Sequence, residues 1–326
     1  FMPQRQQVKD TPLLVVALIA CLLMSLGAWL RIGPASPGDA IPGICLPSPA
    51  EWDIIPVWSW AINTFTILIL TLGTILYGRY YNSIKGARNI LAIVFPLMTA
   101  SDPYLMVSLG TPTLLCAASL AIWWILGSTF RSENATQAIF VVATVIALGT
   151  MIQYAFLILI PVTLVNLIFL KIFRWREIGA FIMGLVAPYW VGVGLGLLPL
   201  DSFHLPTPHH VLLANLEPGD TVPVLVGTGF AILIGLLIGL NSTIKLYAGN
   251  SGVLALNLTI AVTGLGCVAA IFLDYTNLEA YLTTLYMTVA VQIAHLFGLW
   301  RVPRPRLVLS LFGLFYIILY ILTIAT

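Results

Sequence analysis

Charge is what this chain has least of. Charged side chains make up only 8% of its 326 residues, against roughly 25% in soluble domains, which excludes an enzyme or binding module with an ordinary solvated shell. Long polar stretches are missing too. The two longest connections between apolar runs, 31–56 and 200–221, are too short to build a soluble core of their own. Cysteine is sparse and scattered: of the four, Cys21, Cys116 and Cys267 fall inside apolar runs and Cys45 alone lies in a connection. No pair is therefore placed for an obvious disulfide or zinc site. No phosphate loop, nucleophile elbow, H-E-x-x-H helix or dinucleotide fingerprint occurs, so no motif names a reaction.

What is present in abundance is apolar length. Hydrophobic residues make up 60% of the chain and the mean hydropathy is +1.02, the composition of a polytopic membrane protein. Runs long enough to span a bilayer fall at 12–30, 57–78, 90–108, 111–129, 137–150, 152–170, 178–198, 222–240, 252–273, 279–300 and 307–325. The expected fold is all-α: a polytopic transmembrane bundle of about 11 helices, forming one integral membrane domain over 1–326. The first run, from Thr11 to Leu30, exceeds the roughly 7 to 15 apolar residues of a cleavable signal and reads as a retained first helix. The third run is interrupted by Pro96, Asp102 and Pro103, and the fifth is short. Both are expected inside the bundle, where neighbouring protein covers freed backbone groups.

The bases then orient the chain. Threading it alternately with the N-terminus inside places Arg5, Lys9, Arg79, Lys85, Arg88, Arg131, Lys171, Arg174, Arg176, Lys245, Arg301, Arg304 and Arg306 on one side. Only Arg31 is left opposite. Positive residues resist translocation, so the basic side is expected to be cytoplasmic, the C-terminus periplasmic and the membrane the bacterial inner membrane. The acids Asp39, Glu51, Asp53, Asp102, Asp201, Glu217, Asp220, Asp274 and Glu279 fall on the outer side, with Asp10, Glu133 and Glu177 inside.

Within the runs, ionisable groups are almost absent. Asp102 and His295 are the exceptions; a proton relay of the kind that secondary transporters carry is missing. His295 is expected as a hydrogen-bonded packing residue. Gly192, Gly194 and Gly196 end the seventh run, Gly235 and Gly239 make a small-xxx-small step, and Gly264 and Gly266 lie in the ninth. Such residues let membrane helices approach closely, within the chain or against a partner subunit. Trp58, Trp60, Tyr77, Tyr80, Tyr81, Trp175 and Trp300 lie near run ends, as interfacial anchors do.

Chemistry has two places to sit. The first outer connection holds Asp39, Glu51 and Asp53 among six prolines, and Asp102 follows in an S-D-P-Y turn. Acids on neighbouring outer turns serve as a general base or hold a divalent cation beside a lipid-borne phosphate; as solvated loop acids they do neither. The second connection carries His204, His209 and His210 near Asp201 and Glu217. Their spacing fits no zinc pattern, so no metal ligand is assigned there. The V-L-L-A-N-L stretch that follows is expected to lie along the membrane surface.

In the segment Phe173 to Trp190, Trp175, Arg176, Glu177, Gly184, Pro188 and Tyr189 resemble a Bacteroidota family of multipass inner-membrane proteins, domain of unknown function family 6427. That resemblance implies location and architecture and no activity. The topology is also distantly similar to the GT-C glycosyltransferases, which use polyprenyl-linked sugars at the outer face. By that similarity Asp102, with Asp39 or Asp53, takes the place of their essential acids, although the first outer connection here is short and no periplasmic domain follows. Two functions are thus expected: a non-catalytic subunit or scaffold in cell-envelope biogenesis, or a GT-C-like transferase with Asp102, Asp39 and Asp53 catalytic and a divalent cation bound. The expected partners are the lipid bilayer, a subunit against the glycine-rich helix faces and a polyprenyl lipid, with no nucleic acid.

Overall fold

The apolar runs become helices because a backbone surrounded by hydrocarbon has to satisfy its polar groups within its own segment. The computed structural model describes residues 11–33, 44–84, 88–132, 135–199, 201, 203, 218–299 and 304–325. Asp39, the three loop histidines, Glu133, Glu217, the V-L-L-A-N-L stretch, Trp300 and the bases Arg5, Lys9, Lys85 and Arg301 lie outside the described residues. In chain order the helices are α1 (Thr11–Ile32), α2 (Pro56–Tyr80), α3 (Arg88–Ala100), α4 (Tyr104–Val107), α5 (Thr111–Gly127), α6 (Thr136–Ile152) and α7 (Leu159–Phe169), the last preceded by a 3-10 turn, Tyr154–Ile158. Then follow α8 (Trp175–Gly194), α9 (Pro218–Ala231), α10 (Leu240–Tyr247), α11 (Ser251–Leu273), α12 (Leu278–Leu299) and α13 (Pro305–Ala325). A π-helical segment, Ile232–Gly239, joins α9 to α10 as one rod.

Local chemistry sets several of the boundaries. Proline opens α2 and α13 and stands at the start of α5, where its missing N–H costs no helical bond. The Asn250 side chain caps α11 by accepting from the Val253 N–H at 3.2 Å. Among the described residues seven helices are long and apolar enough to cross a membrane, and the architecture these residues build is all-helical, as in a multipass membrane protein. Four shorter apolar helices accompany them: Asn89–Ala100, Thr111–Gly127, Thr136–Ile152 and Tyr154–Phe169. Each of the predicted apolar runs is helical over most of its length; the seventh stops at Gly194 rather than 198, and two others change in extent. The third is two helices, because Pro103 has no N–H to give and disfavours the helical conformation at Asp102; α3 itself runs on through Pro96. The eighth extends beyond residue 240 to Tyr247 through the π segment.

α12 is the hub. It is 89% buried along its apolar window, whereas α8 is only 17% buried and α13 only 22%. Around α12 stand α3, α5, α10, α11 and the π segment. α3 is buried from Ile90 to Ala100, as expected of the interrupted run, while α6 still exposes Phe140, Val141 and Leu148. The inward-facing glycines explain how α12 is approached so closely. A methyl group at Gly235 would meet Val289 at 2.4 Å, one at Gly239 would meet Gln292 at 2.6 Å and one at Gly264 would meet Thr288 at 2.5 Å. Gly266 is closed off by Val162 in the same way.

The bundle has a basic end and an acidic end, identified by contacts between loops. The Arg131 N–H donates to the Leu170 carbonyl at 3.1 Å, and Phe130 lies against Gly252. Ser83 in the α2–α3 turn is bonded to Tyr247, Asn257 and His295. These ties gather the turns that carry Arg79, Arg131, Lys171, Arg174, Arg176, Lys245 and Arg304 at one end. At the other, the segment Ile44–Leu46 is bonded along Thr150 and Met151, Asn63 reaches the Leu105 carbonyl, and Asp53, Asp102, Asp274 and Glu279 are found. Trp58, Tyr80 and Trp175 are exposed near helix ends, in keeping with anchors, but Tyr77 is fully buried against Trp123 and Trp124.

Candidate functional site

Asp102 sits in the three-residue gap between α3 and α4. α3 has 13 residues, a rise of about 20 Å, which is shorter than the roughly 30 Å of a hydrocarbon core. Asp102 is only 2% exposed. Its N–H donates to the Thr99 carbonyl at 3.4 Å, and its own carbonyl accepts from Leu105. The side-chain Oδ1 accepts from the Tyr104 N–H at 3.1 Å, the local turn that aspartate favours. Oδ2 has no hydrogen-bond partner. The Glu279 carboxyl, on the first turn of α12, and the Tyr286 hydroxyl both interact electrostatically with it.

Three α12 side chains therefore share one stripe. Glu279, Thr283 and Tyr286 stand four and three residues apart, within an arc of about 60°. Thr283 is fully buried and its hydroxyl has no partner. Tyr286 is 3.4 Å from the Thr228 hydroxyl of α9. The sequence alone places Glu279 with Asp102 among the outer acids without pairing them; the spacing of 279, 283 and 286 along one helix face is the signal that brings these three side chains together.

The other predicted residues are dispersed. Asp53 is exposed after the short turn Pro49–Glu51 and, among the described residues, shares no hydrogen bond with Asp102. Asp274, between α11 and α12, is buried and accepts from the Tyr281 hydroxyl at 3.5 Å, with Tyr154 alongside. No group of three or more His, Cys, Asp and Glu side chains suited to a metal occurs among the described residues.

His295 belongs to a buried polar node at the basic end. Its Nε2 is 3.0 Å from the Ser83 carbonyl and its Nδ1 is 3.1 Å from the Thr243 hydroxyl. A carbonyl only accepts, so Nε2 carries the proton and, in the neutral ring, Nδ1 accepts from Thr243. Thr243 has only one proton and also lies 3.0 Å from the Gly239 carbonyl and 2.6 Å from the Gln292 amide oxygen, and the amide contact is satisfied when the Gln292 nitrogen stands there as the donor. Exchanging that amide's O and N also satisfies the nitrogen otherwise left without a partner. The arrangement locks helices together and has no open face.

The segment from Trp175 to Tyr189 builds the seam between α8 and α6. Glu177 is 1% exposed, a methyl at Gly184 would meet the Phe140 carbonyl at 2.5 Å, and the Tyr189 hydroxyl lies 2.7 Å from that of Thr150. Trp175 and Arg176 point outward. Beside this seam, at the basic end, a groove of about 480 Å³ is lined by Thr136, Gln137, Phe140, Arg176 and Ala180, at the opposite end from Asp102. Comparison of the chain with family models, with curated protein sequences and with solved structures finds no match.

Proposed function

We propose that the chain is an eleven-span inner-membrane protein, its basic end in the cytoplasm and its last helix ending in the periplasm, that acts as a non-catalytic subunit or scaffold in cell-envelope biogenesis. The observation that carries the reading is the enclosure of Asp102. A transferase needs its acid in reach of a sugar phosphate, and this carboxyl stands 2% exposed between α3 and α12. The gathering of bases at one end supports the orientation. The test is complementation of a deletion strain by Asp102→Asn, with protein levels matched, alongside purification in mild detergent. Normal complementation and a stoichiometric protein partner are the expected results. Loss of complementation together with a copurifying polyprenyl phosphate would overturn the reading.

One observation favours a second reading, the GT-C-like transferase. Asp102 follows the third apolar helix at the acidic end of the bundle, where that similarity implies an essential acid. Under this reading the helix break opens to admit a polyprenyl-linked sugar at the periplasmic face.

A further inference from the structure

We propose that the groove between the starts of α6 and α8 binds an anionic phospholipid, its headgroup phosphate at Arg176 and an acyl chain along Phe140 and Ala180. The groove is a recess of about 480 Å³ lined by Thr136, Gln137, Phe140, Arg176 and Ala180, within the roughly 300–1,000 Å³ of small-ligand sites. Its polar residues stand at the helix starts and its apolar ones about a turn deeper, the order in which a phospholipid presents headgroup and chain. Gly184 brings the two helices together. A methyl there would meet the Phe140 carbonyl at 2.5 Å and the Ala143 Cβ at 2.7 Å. Further along, the Thr150 and Tyr189 hydroxyls lie 2.7 Å apart, so α6 and α8 run in the same direction. Both therefore begin at the groove.

Charge, depth and shape select the occupant. Arg176 is exposed and forms no ion pair with a described residue. The two turns ahead of these helices carry Arg131, Lys171, Arg174 and Arg176 against Glu133 and Glu177, and Glu177 is buried instead of lining the groove. Each helix adds roughly half a positive charge at its start, and neither start is capped by the side chain before it, Ala135 or Arg174. Basic pockets between membrane helices suit anionic lipid headgroups. Depth agrees with this, since Trp175 beside the groove is 88% exposed, and a tryptophan among bases sits at headgroup level. Deeper on the same helix faces Leu148 and Met183 are exposed, an apolar track that an acyl chain covers and a free phosphate does not. The groove stands at the opposite end from Asp102, so its test and the complementation by Asp102→Asn fail separately.

The test is native mass spectrometry of the full chain, purified in a nonionic detergent and titrated with dioctanoyl phosphatidylglycerol, dioctanoyl phosphatidylcholine or inorganic phosphate. Wild type is expected to retain about one phosphatidylglycerol per chain and to bind phosphatidylcholine or phosphate roughly tenfold more weakly. Arg176→Gln changes an exposed side chain and leaves the packing alone. It should weaken phosphatidylglycerol about fivefold, the worth of one base at an anionic lipid, with phosphatidylcholine unchanged. Ala180→Trp fills the recess with every charge in place and should abolish the preference; should that variant fold poorly, Arg176→Gln still decides. Lys245→Gln, at the same end but outside the groove, should bind as wild type does. Equal retention of the two lipids would mean an apolar face only, phosphate held as tightly as phosphatidylglycerol a free-anion site, and equal weakening by Lys245→Gln a diffuse surface charge. Each of these overturns the proposal, as does undiminished phosphatidylglycerol binding by Arg176→Gln.

Discussion

The main-chain N–H of Arg131 donates to the carbonyl of Leu170 at 3.1 Å, so the α5–α6 and α7–α8 turns lie side by side. Each turn carries bases, and each has a residue of positive φ at its tip, Arg131 at 55° and Lys171 at 59°. If the apolar helices between these turns all traverse the membrane, both turns face one compartment together with Lys245. In a background without the native cysteines, Arg131→Cys, Lys171→Cys and Lys245→Cys should resist an impermeant maleimide in spheroplasts and react in inverted vesicles. Labelling of Arg131→Cys and Lys171→Cys from opposite sides would break the proposed threading.

Cys45 supplies the complementary probe. The other three cysteines are buried in helices, whereas Cys45 is half-buried in the strap bonded along the end of α6. Burial raises its thiol above the ordinary value. Thiolate is the reactive form, so a raised thiol is less ionised at neutral pH and its labelling accelerates as pH rises. The impermeant reagent should modify wild type from the acidic-end side at Cys45. The rate should increase about tenfold from pH 7 to pH 8 and stay below that of a thiol at the exposed Glu51→Cys. A flat pH profile would contradict the partial enclosure.

Much of the architecture was legible because hydrocarbon length and the placement of arginine and lysine are written directly in the chain. The apolar runs mark the helices, and the bases mark the end at which Arg131 and Leu170 meet. The break at Asp102 was partly legible, since Pro103 disfavours a helical conformation at Asp102, but its enclosure was not: that depends on α1 and α2 packing against α4 and on α12 packing against α3. The central place of α12 was hidden for a related reason. It is the helix of the seven with the lowest hydropathy, because Thr283, Thr284, Thr288, Gln292 and His295 are buried in it. An apolar-run reading ranks such a helix low, although small polar side chains are what let a helix be surrounded on all faces by others. The glycines were legible as close-packing positions; only the structure shows that Gly235, Gly239 and Gly264 are all directed at that same helix.

The Ser83 node separates necessary from redundant hydrogen bonds. Its carbonyl accepts from Tyr247, Asn257 and His295, yet a carbonyl has two lone pairs. Asn257 also leaves its own side-chain oxygen without a partner. Asn257→Leu removes a shared donor to Ser83, a second bond to the Val253 carbonyl one turn back at 3.0 Å and an unsatisfied acceptor together, so it should change stability by no more than about 0.5 kcal/mol. His295→Leu removes the bonds to Ser83 and Thr243 at once and should cost about 1–2 kcal/mol at roughly 0.6 kcal/mol or more per bond. Thermal unfolding of the two variants in one detergent checks the order; a larger loss for Asn257→Leu would show that the node is assigned wrongly.

The two groups of glycines should respond oppositely to alanine. At Gly239 the added methyl would stand 2.6 Å from Gln292 Cβ and 3.1 Å from that residue's backbone carbonyl. Backbone cannot move aside as a side-chain tip can, so the π segment and α12 would have to separate. Overpacking of this kind costs about 1–3 kcal/mol, and the lost seam would also disturb Gln292 and Thr243 beside it. At Gly194, near the end of α8, nothing lies within 4 Å and φ is not positive. Alanine there meets no atom of this chain and restricts the unfolded backbone, so the isolated protein should be unchanged or more stable by up to about 1 kcal/mol. The comparison also tests the docking of a partner. If a second protein packs against the end of α8, a bulkier Gly194→Leu should leave the purified chain's unfolding temperature near wild type while weakening copurification of that partner. Retention of the partner at wild-type stoichiometry would free this surface of that role, and loss of stability in Gly194→Ala would mean that α8 is packed more tightly within the chain than its open surroundings show.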